Sequence, residues 1–186
     1  GARRGARGPV AGRARAVGGG REAGVDVGQG PDLGCGGGRG PGHRRRDKGG
    51  GLPAFGSVED LPAAPDAVLV AVNPGATVET VGRLAALGTG AAVCYASGFA
   101  EVGEEGAELQ NALVAAADGM PVLGPNCYGT VAATVGAALW PDQHGLRRVD
   151  RGIALVTQSG NIALNLTLQT RPMAISHVLT LGNQAD

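Results

Sequence analysis

The chain has 186 residues, with 16 basic and 16 acidic groups, 35 glycines, three cysteines and only five aromatic side chains, which is room for one or two small domains. The neutral total is a cancellation: residues 1–50 hold 11 Lys/Arg against four Asp/Glu, net +7, and the remaining 136 hold five against 12, net −7. No run approaches the roughly 18 apolar residues of a spanning helix, the arginine-rich start leads into no apolar leader core, and Cys35, Cys94 and Cys127 form no C-x-x-C pair. These features argue against a membrane protein, a secreted disulfide scaffold and a zinc site, and the expectation is a cytoplasmic protein with reduced thiols.

Residues 1–50 contain 18 glycines, one leucine and no Ile, Phe, Tyr, Trp or Met, so little apolar surface is available to offset the entropy of ordering them. They read as disordered, and Arg44-Arg45-Arg46 adds self-repulsion. A G-x-G-x-x-A match at Gly18, Gly20 and Ala23 has neither the apolar strand nor the periodic helix that should flank a dinucleotide fingerprint. An RNA-binding tail ranks last among the readings, because the aromatics that stack on bases are missing from the segment.

From residue 51 the texture becomes that of βα units. Ala67 to Val72 reads as a buried strand ended by Asn73-Pro74-Gly75, and Thr77 to Leu87 as a helix with Thr77 at its N-cap. Ala91 to Tyr95 is the next strand, followed by the loop Ala96-Ser97-Gly98-Phe99 and a helix from about Glu104. Met120 to Leu123 forms a third strand, running into Gly124-Pro125-Asn126-Cys127-Tyr128-Gly129. A less regular stretch passes through Trp140 and His144. Ile153 to Thr157 then opens a fresh unit with the turn Gln158-Ser159-Gly160, a helix near Asn161 and a final strand from Ile175 to Leu181.

Right-handed crossovers between such strands give a parallel sheet whose ligands bind at the carboxyl ends of the strands. That rule gathers Asn73-Pro74, Tyr95 to Gly98 and Leu123 to Asn126 on one edge. The same loops are also compatible with ordinary turn chemistry. Ser159-Gly160 at a helix start is a phosphate-cradle candidate, and the absence of G-x-x-x-x-G-K-[ST] argues against a Walker-type nucleotide triphosphatase. Cys127 reads as a small buried packing residue, His177 as a core or edge histidine, and His144 as an exposed loop residue.

Four segments in order carry a resemblance: the lead-in Gly51-Leu-Pro-Ala-Phe-Gly-Ser-Val-Glu-Asp-Leu-Pro62, then Tyr95-Ala-Ser-Gly-Phe-Ala-Glu101, Leu123-Gly-Pro-Asn-Cys-Tyr-Gly129, and Gly152-Ile-Ala-Leu-Val-Thr-Gln-Ser-Gly160 continuing to Leu181-Gly-Asn-Gln-Ala-Asp186. Residues 51 to 186 resemble the NDP-forming (ADP-forming) acyl-CoA synthetases, relatives of the succinyl-CoA synthetase alpha subunit. The resemblance implies an α/β fold: an incomplete, Rossmann-like CoA-binding domain over 51–145, then the start of a flavodoxin-like ligase domain over 146–186. It implies CoA contacts from Asn73, Pro74, Tyr95, Ala96, Ser97 and Gly98, a phosphate site at Ser159, Gly160 and Asn161, and Asn126 bracing the junction between domains.

The family interconverts acid, CoA and ATP with acyl-CoA, ADP and phosphate through an acyl phosphate and a phosphohistidine. ATP/ADP and Mg belong, by the same resemblance, to a full-length member with an ATP-grasp domain or subunit, downstream or in trans. Residues 1–50 lack the family's opening strand and glycine turn, and read as a disordered extension or as out-of-frame translation. The sequence expectation is a ligase fragment inactive alone, with no catalytic residue and no metal ligand of its own. Its small-molecule partners are an acid and CoA, with neither membrane nor nucleic acid. The alternative is a non-catalytic CoA- or nucleotide-binding module.

Overall fold

A computed structural model describes residues 55–185 with their side chains and, ahead of them, the backbone of 14–18 and 23–25. Those two pieces are strands β1 (Ala14–Gly18) and β2 (Ala23–Val25), antiparallel to each other. Strand β1 runs parallel to β3 (Ala67–Val70). The expectation of disorder therefore has an exception at these eight positions, because ladder bonds use backbone groups and ask nothing of side-chain composition. Other residues of that segment lie outside the described ones. A strand does precede the G-x-G-x-x-A match, contrary to the sequence reading. The next described element is the antiparallel return of β2, not the helix a dinucleotide site needs.

After β3 comes helix α1 (Pro74–Ala86), which starts three residues before the expected position. Its N-cap is Asn73, whose side-chain oxygen accepts from the Ala76 amide at 3.0 Å, and Pro74 occupies the first helical position with its φ already set. The assignment of Thr77 as cap is thereby corrected: its hydroxyl is buried inside the first turn and donates to the carbonyls of Val72 and Asn73.

Strand β4 (Ala92–Cys94), helix α2 (Glu104–Ala117) and strand β5 (Val122–Leu123) complete the first sheet, ordered β2-β1-β3-β4-β5. The pairs from β1 to β5 are parallel, as the βα alternation requires. Strand alternation divides its core in two. Val68, Val70, Ala92 and Cys94 pack with Val81 and Leu84 of α1 and Leu113 of α2, while Leu69 and Val93 face the other way onto Cys127 and Leu139. With both faces covered, these strands read as unbroken apolar runs.

The stretch that looked irregular in sequence is a hairpin, β6 (Thr130–Ala132) and β7 (Ala137–Leu139). It joins β8 (Ile153–Thr157) and β9 (Ile175–Thr180) in a second sheet ordered β7-β6-β9-β8, with β8 and β9 parallel and β6 antiparallel to β9. Helix α3 (Gly160–Leu168) covers one face of this sheet through Ala163, over Val131, Trp140, Ile175 and Val178. Strand β8 forms the sheet edge and leaves Ile153 and Val156 exposed.

Candidate functional site

Three loops leave the carboxyl ends of β3, β4 and β5 on one side of the first sheet, and the start of α3 approaches them from the second. Together they enclose an open cleft of about 620 Å3 lined by Asn73 and Pro74, by Tyr95, Ala96 and Ser97, by Asn126, Cys127 and Tyr128, and by Gln158, Ser159, Gly160 and Asn161. That volume lies within the range of small-molecule sites. Every site residue expected from the sequence is on this lining except Gly98. That glycine sits just behind it at φ +101°, where a Cβ would press on Pro74 Cγ at 2.9 Å. Its part is to let the loop after β4 pass against the start of α1.

Among the described residues lining the cleft none carries a charged side chain. Its polarity comes from the amino-terminal ends of α1 and α3, neither of which has an acidic residue in its first turn to neutralise it. At α3 the Ser159 hydroxyl accepts from the Ile162 amide at 3.4 Å, while the Ser159 amide donates to Thr157 Oγ1 at 3.2 Å. Helix geometry then leaves the Gly160 and Asn161 amides without an intrahelical acceptor. Gly160 also lies so close to the Tyr128 ring that any Cβ there would run into it. An anion meets two N–H groups and a positive dipole end here, with no carboxylate opposing it.

The loop after β4 ties several of its own amides inward. Its Gly98 and Phe99 amides donate to the Glu101 carboxylate, and the Ala100 amide donates to Gln110 Oε1 at 3.3 Å. Tyr95, Ala96 and Ser97 of this loop line the cleft. Burial pushes the Glu101 carboxyl upward, but hydrogen bonds from Asn183, Gly98 and Phe99 outweigh it and hold the group below its ordinary value.

Asn183, in the turn after β9, donates through its amide nitrogen to both Glu101 and Gln110. Asn126 bridges the same seam at φ +57°: its backbone amide donates to Ala96 O at 2.8 Å and its side chain to Asn183 Oδ1 at 3.4 Å. Two further bonds, Asn183 N to Pro125 O at 2.8 Å and Ala185 N to Gly124 O at 3.0 Å, stitch the turn to the loop after β5.

Cys127 reaches the cleft, yet its thiol donates inward to the carbonyls of Cys94 and Leu123. Burial pushes it up to about 11 and pushes Cys94 up to about 12, so neither supplies a thiolate nucleophile at neutral pH. His177 is on the exposed face of β9 between Thr134 and Ser176, away from the cleft lining. His144 is half-buried rather than exposed, and burial lowers its pKa. Among the described residues no group of three or more His, Cys, Asp or Glu lies together as a metal would require, and no helix is long and apolar enough to cross a membrane.

Sequence reasoning missed Tyr128, Gln158, Glu101 and Asn183 as parts of this assembly. Gln158 adjoins a residue that was singled out, and Tyr128 lies inside a quoted motif. The Glu101–Asn183 contact joins positions 82 apart, for which a single sequence carries no signal.

The CoA binding domain family matches residues 41–133, half of the chain. Trans-feruloyl-CoA synthase from an unknown prokaryotic organism is 33% identical over 152 residues, covering 78% of this chain and 22% of that protein. The alpha subunit of ADP-forming acetate–CoA ligase I from Pyrococcus furiosus is 30% identical over 136 residues, covering 70% of this chain and 29% of that subunit. Among solved structures, the apo form of the dinucleotide-forming acetyl-coenzyme A synthetase 1 from Ca. Korarchaeum cryptofilum superposes with a TM-score of 0.66 at 29% identity, over 76% of this chain and 31% of that one. The chain thus spans less than a third of each of these proteins.

Proposed function

The chain belongs to the CoA-binding domain family found in ADP-forming acyl-CoA synthetases, and from that premise we propose that it is the CoA-binding part of an acid–CoA ligase. In the reaction proposed, acid, CoA and ATP are exchanged for acyl-CoA, ADP and phosphate through an acyl phosphate and a phosphohistidine. The observation that carries this reading is the convergence of two unneutralised helix starts on one cleft, uncharged along its described lining, at the carboxyl ends of parallel strands. Tyr95, Ala96 and Ser97, with Asn73, Pro74 and Gly98 beside them, hold the cofactor. Ser159, Gly160 and Asn161 receive the transferable phosphoryl group, and Asn126 keeps the two halves of the cleft together.

Residues 51–145 act as the CoA-binding unit and 146–186 as the opening of the ligase unit, although β6 and β7 of the first pair with β9 of the second. CoA fits the residues present, because the cradle relies on close backbone passage at Gly98 and Gly160. ATP and Mg2+ are assigned no residue of the described chain. We place them with an ATP-grasp domain or subunit, and the whole in the cytoplasm, where CoA and ATP are both at hand.

The test is calorimetric titration of the full chain with CoA and with phosphate, alongside Ser159→Asp. Aspartate caps a helix as well as serine does but sets a carboxylate where the phosphoryl group belongs. Phosphate binding is expected to fall by about tenfold or more, for on the order of 1.4 kcal/mol of repulsion, with Tm and CoA affinity near wild type. CoA binding with no phosphate response would favour a non-catalytic binding module. A folded wild type that binds neither would overturn the reading.

A further inference from the structure

We infer that Tyr128 is the wall against which the acyl group rests during transfer, and so limits its size, an inference that rests on the ligase reading above. In that reading Tyr95, Ala96 and Ser97 form the CoA side of the cleft and Ser159, Gly160 and Asn161 the phosphoryl side. Tyr128, part-buried and on the lining itself, touches both. Its ring meets the Tyr95 ring edge-to-face with centres 5.6 Å apart. Against it also lies the Gly160 backbone, so close that a Cβ there would run into the ring atoms Cγ, Cδ2 and Cε2. During transfer the CoA thiol sulfur bonds to the acyl carbon and the bond from that carbon to the phosphoryl oxygen breaks. The phosphate departs with the electron pair and takes up the thiol proton. The acyl group therefore has to stand between the two sides that Tyr128 joins.

The ring is held in place. Behind it stands Trp140, 1% exposed in the core of the second sheet, with ring centres 5.3 Å apart. The next residue, Gly129, is buried, and both its amide and its carbonyl are bonded to the Thr180 hydroxyl, at 2.7 and 3.0 Å. A ring packed against two other rings and a helix start, on a backbone anchored one residue away, has little room to swing aside. A short acyl chain can pack on this surface, whereas a branched one must displace it.

The test titrates CoA, acetyl-CoA and isovaleryl-CoA calorimetrically against the wild-type full chain, Tyr128→Leu and Tyr128→Phe, with circular dichroism confirming the fold of each variant. What is read is the ratio of acetyl-CoA to isovaleryl-CoA affinity, in which a general loss of binding cancels. The wild type is expected to favour acetyl-CoA by about tenfold or more, Tyr128→Phe to keep that ratio, and Tyr128→Leu to bring it close to one. A measurement on the wild type alone covers the case in which the leucine variant does not fold. Trp140 is the only tryptophan in the chain, and its fluorescence is expected to respond to acetyl-CoA beyond the response to CoA. Equal wild-type affinity for the two thioesters, a preference that survives Tyr128→Leu, or a Trp140 emission indifferent to the acyl group overturns the acyl-wall inference alone. A wild type that binds no CoA removes its premise and overturns both.

Discussion

Glu101 does the work of a small clasp. Its carboxylate gathers two backbone amides of its own loop and the side chain of Asn183 from the far end of the fold. Because these bonds hold its pKa below the ordinary value, the clasp stabilises the protein at neutral pH and loses that contribution as pH falls through the carboxylate range. Glu101→Gln is expected to lower stability at pH 7 by on the order of 1 kcal/mol or less, since the group is largely exposed. The melting temperatures of variant and wild type should converge as the pH is lowered. A constant gap at every pH would show that the carboxylate charge plays no part. Nothing in the local sequence announces this role, because a glutamate ahead of a helix is equally at home as a solvated neighbour of the dipole.

At the scale of elements, the alternation of strand and helix was legible where apolar runs are bounded by turn residues. β3, β4, β8 and β9 lie within a residue or two of where those runs place them. Asn73-Pro74 reads both as the end of a strand and, as an asparagine cap followed by proline at the first helical position, as a helix start, and the second reading is the one that sets the start of α1. Asn73→Ala is expected to cost about 1 kcal/mol in urea denaturation, and to carry the cleft wall at Pro74 with it. The β6–β7 hairpin escaped notice for a different reason. Thr130 to Leu139 is rich in alanine and valine, with too little contrast between its faces to display a period of two. The three loops of the cleft were found by the strand-end rule alone. The contact of Tyr128 with Gly160 was not, since it depends on how the second sheet is docked on the first.

For the whole molecule, the two sheets are held in register at the cleft by the turn after β9, through Asn126, Asn183 and Ala185. In the second sheet β8 presents an uncharged, apolar edge, the kind of surface that templates association. Val156→Lys is expected to reduce self-association in light scattering at high concentration while leaving the melting temperature within a degree or two, an effect below about 0.5 kcal/mol. Finally, the cleft proposed for CoA, whose described lining holds no lysine or arginine, meets a polyanion with amides and helix ends and so releases few counterions on filling. Its affinity for CoA should therefore hardly change between dilute buffer and several hundred millimolar potassium chloride, unlike sites built on full cations, whose long-range attraction fades as the ionic atmosphere thickens.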